Sequence, residues 1–117
     1  TSSEREILKE RIFFDLRSAV LHPGSKMQLD RKIKLMNEYP EMRLRILGNT
    51  CDRGNEEINI PLGLERAKAV KEYMESRGIE SSRLVTATQS SYDPLVPNVD
   101  EESRAVNRRC DFEVDRK

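Results

Sequence analysis

Between Arg43 and Leu47 the chain alternates basic and apolar side chains, Arg-Leu-Arg-Ile-Leu, and then stops at Gly48. Successive side chains of a strand point to opposite faces, so this run predicts a strand with one face buried and one in water. Such a strand needs strand neighbours and an apolar layer across its buried side. The flanking sequence supplies both. A helix is predicted over 26–39, where Leu29, Ile33 and Met36 recur at spacings of four and three and Leu35 widens the stripe. Pro23 fits the first turn and Pro40 ends it. A second helix is predicted over about 63–77, with Ala67, Val70 and Met74 on one face and Gly78 as its stop. Ile12-Phe13-Phe14, the segment 84–88 and Asp111-Phe112-Glu113-Val114 read as further strands. Residues 1–6 read as a frayed or helical lead-in and 48–61 as a long polar loop. Residues 89–100, with Pro94, Pro97 and Asn98, read as an irregular loop, 101–108 as a short helical piece, and Arg116-Lys117 as a polar tail. The order βαβαββ predicts an α+β two-layer sandwich, with helices packed on a mixed four-stranded sheet.

At 117 residues the chain fits one domain with a real core. Lys plus Arg and Asp plus Glu both number 21, so the net charge is zero, which argues against a nucleic-acid binder. Aromatics make up 5% with no Trp, leaving no stacking platform for bases or sugars. No apolar run approaches the roughly 20 residues that span a bilayer, and no secretory leader pattern appears. A start at Thr1 rather than Met suits a mature product or an excised domain, with any membrane anchor or barrel upstream. His22, the only His, lies beside Pro23 at the start of a helix, and with two dispersed cysteines it gives no metal-ligand spacing. The carboxylates form no acid–base pair and no nucleophile elbow is present, so neither catalysis nor a cofactor is expected. Cys51 and Cys110 allow either one disulfide or two buried thiols.

Four stretches carry a likeness to a known family. The first is Ile12-Phe13-Phe14-Asp15 with Ser18 and Leu21-His22-Pro23. The second is Gly48-Asn49-Thr50-Cys51-Asp52-Arg53-Gly54, and the third runs from Asn59 through Leu62 and Gly63 to Arg66-Ala67. The fourth runs from Pro94 through Pro97-Asn98 to Arg104-Ala105-Val106-Asn107-Arg108-Arg109. In this order and spacing, over about residues 10–115, the chain resembles the OmpA-like C-terminal domain family, which ties envelope proteins to peptidoglycan. The resemblance implies a fourth strand lying between the first and second, antiparallel to the second. It also implies a single domain at the C-terminal part of a larger envelope protein, periplasmic and tethered to the outer membrane.

The family grips the free end of diaminopimelate, which carries an ammonium and a carboxylate on one carbon. Arginine offers a carboxylate a rigid fork of two charge-assisted hydrogen bonds, an acid suits the ammonium, and a helix amino end favours the carboxylate. The resemblance puts Arg66 at the carboxylate-binding position, in the first turn or so of the second helix, with Gly63 as a tolerable cap. Asn59 matches the hydrogen-bonding Asn. The family's Asp falls on Cys51 and its His on Asn49. Thr50 and Asp52 complete the loop, with Asp52 as the replacement acid. Arg108 and Arg109 are expected in ion pairs near the last strand, and Arg109 also among the ligand-binding residues. The family sheet would bring Cys51 and Cys110 within disulfide reach, and a bridge closing about 59 residues would add roughly 4 kcal/mol. The implied function is non-covalent peptidoglycan binding through the diaminopimelate of the stem peptide. The alternative, favoured by Cys51, is a degenerate domain acting as a structural or protein-interaction module.

Overall fold

The structure, a computed structural model, describes residues 2–116. Thr1 of the expected lead-in and Lys117 of the expected tail lie outside the described residues. The elements are α1 (Ser2–Lys9), β1 (Ile12–Phe13), α2 (Pro23–Glu38), β2 (Met42–Asn49), α3 (Glu56–Ser76), β3 (Leu84–Ser90), α4 (Glu101–Asn107) and β4 (Arg109–Arg116). One turn of 3₁₀ helix, Ser81–Arg83, leads into β3.

The four strands lie in the order β1-β4-β2-β3. β4 runs antiparallel to β1 and β2, and β2 runs parallel to β3. The α+β sandwich and the place of the last strand between the first and second are therefore as expected. Met42, Leu44 and Ile46 of β2 join Leu84 and Phe112 in the core, beneath Leu29, Ile33 and Met36 of α2 and Ala67, Val70 and Met74 of α3. On the other face, Arg45 stands opposite Glu113 in register and pairs with it at 3.3 Å. The alternation of Arg43-Leu44-Arg45-Ile46 is thus the division between core and water.

β3 runs on to Ser90 and β4 spans Arg109–Arg116, taking in the first residue of the expected tail, and two boundaries differ further. The lead-in forms a helix whose Leu8 is buried. Lys32, itself 0% exposed, holds the end of that helix by donating to the carbonyls of Ile7, Leu8 and Glu10 at 2.7, 3.0 and 2.6 Å. The larger correction concerns the loop expected over 48–61, because α3 starts at Glu56 and encloses Pro61. Asn55 caps it, its side chain accepting from the Ile58 N–H at 3.2 Å, and Glu56 and Glu57 sit at the positive end of the helix. Pro61 removes one N–H, and Glu57, whose carbonyl loses that bond, is an exposed residue of the first turn. No helix among the described residues is long and apolar enough to cross a membrane.

Candidate functional site

Two glycines set how closely α3 lies on the ends of β2 and β3. A Cβ built on Gly48 would overlap the carbonyl of Gly63, and one on Gly63 would strike Thr88 Oγ1 and approach Gly48 O to 2.9 Å. Gly63 is therefore a contact point in the middle of the helix rather than a cap. Asn59, Gly63 and Arg66 follow one another at i, i+4 and i+7, so all three face the strand ends. Ten residues separate Glu56 from Arg66, about 15 Å of helix, so the helix amino end lies too far away to favour an anion at Arg66.

Arg66 is 0% exposed. Its Nε donates to Ser18 O at 2.8 Å, Nη1 to Asn49 O at 2.9 Å and Nη2 to Asp15 O at 2.9 Å. The guanidinium lies 5.3 Å from the centroid of the Phe14 ring. An arginine has five N–H donors, so two remain. Burial lowers its pKa to about 10; the Cys110 and Cys51 thiols oppose that shift and Arg108 adds to it. It stays charged at neutral pH, and among the described residues it makes no ion pair with a carboxylate.

Thr50 and Ser90, 2% and 1% exposed, stand together at the ends of β2 and β3, where the Thr50 N–H donates to Ser90 O at 2.8 Å. Neither hydroxyl has a partner among the described residues. Asn49 Nδ2 donates to Leu47 O at 3.0 Å, which fixes the amide and leaves its buried Oδ1 without a donor; Gln89 Oε1 is in the same condition. Asn59, one helical turn before Gly63, is 3% exposed. Burying a hydroxyl or amide oxygen without a hydrogen bond costs about 1–3 kcal/mol; the four atoms lie at one end of the sheet, but Asn49, which alternates with Gly48, and Gln89, which lines a cleft with Leu47 and Asp111, point to the face away from α3. Ser90 and Gln89 were missed in the sequence, which carries no signal for them beyond their place after a predicted strand.

The remaining expected residues lie apart from this cluster. Asp52 is exposed and accepts from Arg104 Nε at 2.8 Å. Arg109 is 1% exposed but precedes Cys110, whose side chain is in the core, so it occupies the opposite face of the sheet from Arg66. There it clasps both oxygens of Asp111 at 3.0 and 2.9 Å and donates to Asp93 O and Asn107 O. Arg108 donates to Phe14 O at 3.1 Å, and its Nη1 lies 3.0 Å from Glu101 Oε2, close enough for an ion pair but without hydrogen-bond alignment. The expected Cys51–Cys110 disulfide is not formed, and both are buried free thiols. Cys110 lies opposite Gly48, whereas Cys51 comes three residues later, where Thr50 is already tied to Ser90 and the chain turns toward β3 and away from β4. Among the described residues no cluster of His, Cys, Asp and Glu could hold a metal.

Residues 13–108 match the sequence profile of the OmpA family. A peptidoglycan-associated lipoprotein of Rhizobium meliloti is 33% identical over 101 residues, covering 86% of this chain and 57% of that protein. The peptidoglycan-binding protein ArfA of Mycobacterium tuberculosis is 36% identical over 103 residues, 88% of this chain and 32% of its own length. The chain thus spans only part of these curated relatives. The crystal structure of the peptidoglycan-associated lipoprotein from Burkholderia pseudomallei superposes with a TM-score of 0.88 at 28% identity, covering 92% of this chain and 91% of that one. On the profile match, the relatives and the sheet order together, the chain belongs to the OmpA family.

Proposed function

We propose that this domain binds peptidoglycan without turning it over, taking the terminal carboxylate of a diaminopimelate stem peptide on the two N–H groups left on Arg66. One observation supports the reading: a fully buried guanidinium that, among the described residues, has no carboxylate partner stands beside buried hydroxyls that no described protein group satisfies. A desolvated cation of this kind favours an anion strongly, and the arginine fork suits a carboxylate. Asn59 and Thr50 would hydrogen-bond the peptide next to the carboxylate. Asp52 stands at the rim and reaches the ligand only by leaving Arg104. Arg109, on the far face, contributes by bracing the loop that carries Asp93. The names of the relatives, peptidoglycan-associated and peptidoglycan-binding, support the same reading. A periplasmic place follows from it, with this domain forming the C-terminal part of a larger envelope protein tethered to the outer membrane.

A second reading has its own observation. The three carbonyls on Arg66 already complete a brace between α3, the segment 15–18 and the end of β2. A domain with no ligand, acting as a scaffold or interaction module, would keep that brace. Co-sedimentation with purified sacculi separates the two readings. Binding to sacculi with diaminopimelate stem peptides, but not to sacculi with lysine in its place, supports the carboxylate site. Folded protein that stays in the supernatant with both supports the scaffold.

A further inference from the structure

We infer that the free edge of β3 seats a second copy of this chain, whose own β3 pairs antiparallel there so that the two sheets run on as one. The inference is independent of the peptidoglycan reading. β3 ends the sheet order β1-β4-β2-β3, so among the described residues no strand lies on its outer side. Every second N–H and C=O along that side is left to water. Thr86, on the strand face under α3, is only half-buried, whereas Ile46 beside it on β2 is fully buried. Edge strands usually carry a charge, a proline or too short a length to attract another strand. β1, at the opposite edge, has two residues. β3 has seven, Leu84-Val85-Thr86-Ala87-Thr88-Gln89-Ser90, with neither charge nor proline. A register shift after Gly48 and the positive φ of Ser90 interrupt its far end, which leaves Leu84–Thr88 regular enough to pair.

The surroundings of the edge identify the occupant. Tyr73 of α3 donates to Asp30 of α2 at 2.7 Å, which sets one flank of α3 toward α2. By helical spacing the opposite flank carries Ile60, Leu64 and Lys71, and it overhangs β3 on its free side. Ile60 and Leu64 are exposed, as is Val85 on the other face of the strand. A Cβ on Gly63 would meet both Thr88 of β3 and the Gly48 carbonyl of β2, so α3 sits astride the two strands. Paired strands lie about 4.8 Å apart. An added copy of β3 therefore brings its own α3 to about 10 Å from the first, the distance at which two helices pack. A lone peptide strand would fill the edge and leave Ile60 and Leu64 in water; a second copy covers both. Antiparallel pairing about Thr86 sets threonine against threonine and Val85 against Ala87, and it opposes no charges between the strands.

Sedimentation equilibrium of the 117-residue chain, from micromolar concentration up to about 1 mM, reads the association. A monomer–dimer equilibrium is expected. Hydrogen exchange at the outward amides of Leu84–Thr88 is expected to slow as concentration rises, while exchange in β2, already paired on both sides, does not change. Val85→Lys and Leu64→Lys replace side chains that are exposed in the single chain, and each is expected to raise the dimer dissociation constant at least about tenfold. Met27→Lys, at an exposed position of α2, is expected to leave it unchanged. Because the wild-type exchange stands alone, a variant that folds poorly does not remove the test. A chain that stays monomeric throughout overturns the inference. So does a dimer that is indifferent to Val85→Lys and Leu64→Lys, or one that leaves the β3 amides exchanging as in the monomer.

Discussion

Arg66 and Lys32 are each 0% exposed, and each gives its protons to main-chain carbonyls. For Arg66 the planar fork matters, because three nitrogens reach three separate carbonyls. Arg66→Lys keeps the charge and three N–H groups but gathers them on one nitrogen, which cannot span three carbonyls spaced to fit the guanidinium fork, so at least one loses its donor. A loss of about 2 kcal/mol is expected, read from urea unfolding, together with loss of sacculus binding. Lys32 makes a prediction in pH. In the unfolded chain its amine titrates near 10.5, while burial lowers it in the fold to about 7, with Glu10 opposing the shift and Arg31 adding to it. Between those values the unfolded chain binds more protons. Stability therefore rises from about pH 7 toward 10.5 and is lost as pH falls through about 7, by at most about 1.4 kcal/mol per unit. The three carbonyls and the Phe112 ring, 4.2 Å from Nζ, favour the ammonium and so narrow that window from its lower end. Urea midpoints of wild type and Lys32→Met across this range check it, the variant lacking the slope. The sequence hides both roles, because a basic residue beside an apolar stripe usually lies in water. Only the spacing of Lys32, three after Leu29, and of Arg66, one before Ala67, sets them near the core face.

At the scale of elements, α3 and the two strands beneath it make the site. Gly48→Ala puts a methyl into the Gly63 carbonyl, where backbone must yield, and about 3 kcal/mol of stability is expected to go. Asn55→Ala removes the cap of α3 and is expected to cost about 1 kcal/mol. Thermal unfolding of both variants checks the order, with Gly48→Ala the more damaging. The elements β2 and α2 were legible in the sequence because their burial follows a simple period: alternation in Arg43-Leu44-Arg45-Ile46, and three-to-four spacing in Leu29-Ile33-Met36. The start of α3 was not, because Pro61 reads as loop punctuation. The contrary signal, Asn55 followed by Glu56 and Glu57, was there: a capping side chain and two acids at a helix amino end. That one boundary moved Asn59 from a loop into a helix and Arg66 from its first turn into its third.

For the whole molecule, the sheet order brings the segment 15–18, the ends of β2 and β3 and the middle of α3 to one place, though they are far apart in sequence. The family resemblance named Arg66, Asn59, Thr50 and Asp52, but spacing alone could not tell that Asp52 turns to Arg104 or that Arg109 sits behind the sheet. The cysteine pairing failed for a similar reason. Adjacent strands brought Cys51 and Cys110 near Arg66 without aligning them across one pair of strands. Intact mass under non-reducing conditions is therefore expected to show no loss of two hydrogens, and thiol titration in denaturant to find both sulfurs free. The most direct measurement follows the Arg66 side chain itself, through its Nε–Hε NMR signal, while stem peptide released from sacculi is added. A saturable shift of that signal, in step with Thr50, is the predicted result. A stem peptide that binds and shifts other residues while the Arg66 guanidinium stays silent contradicts it.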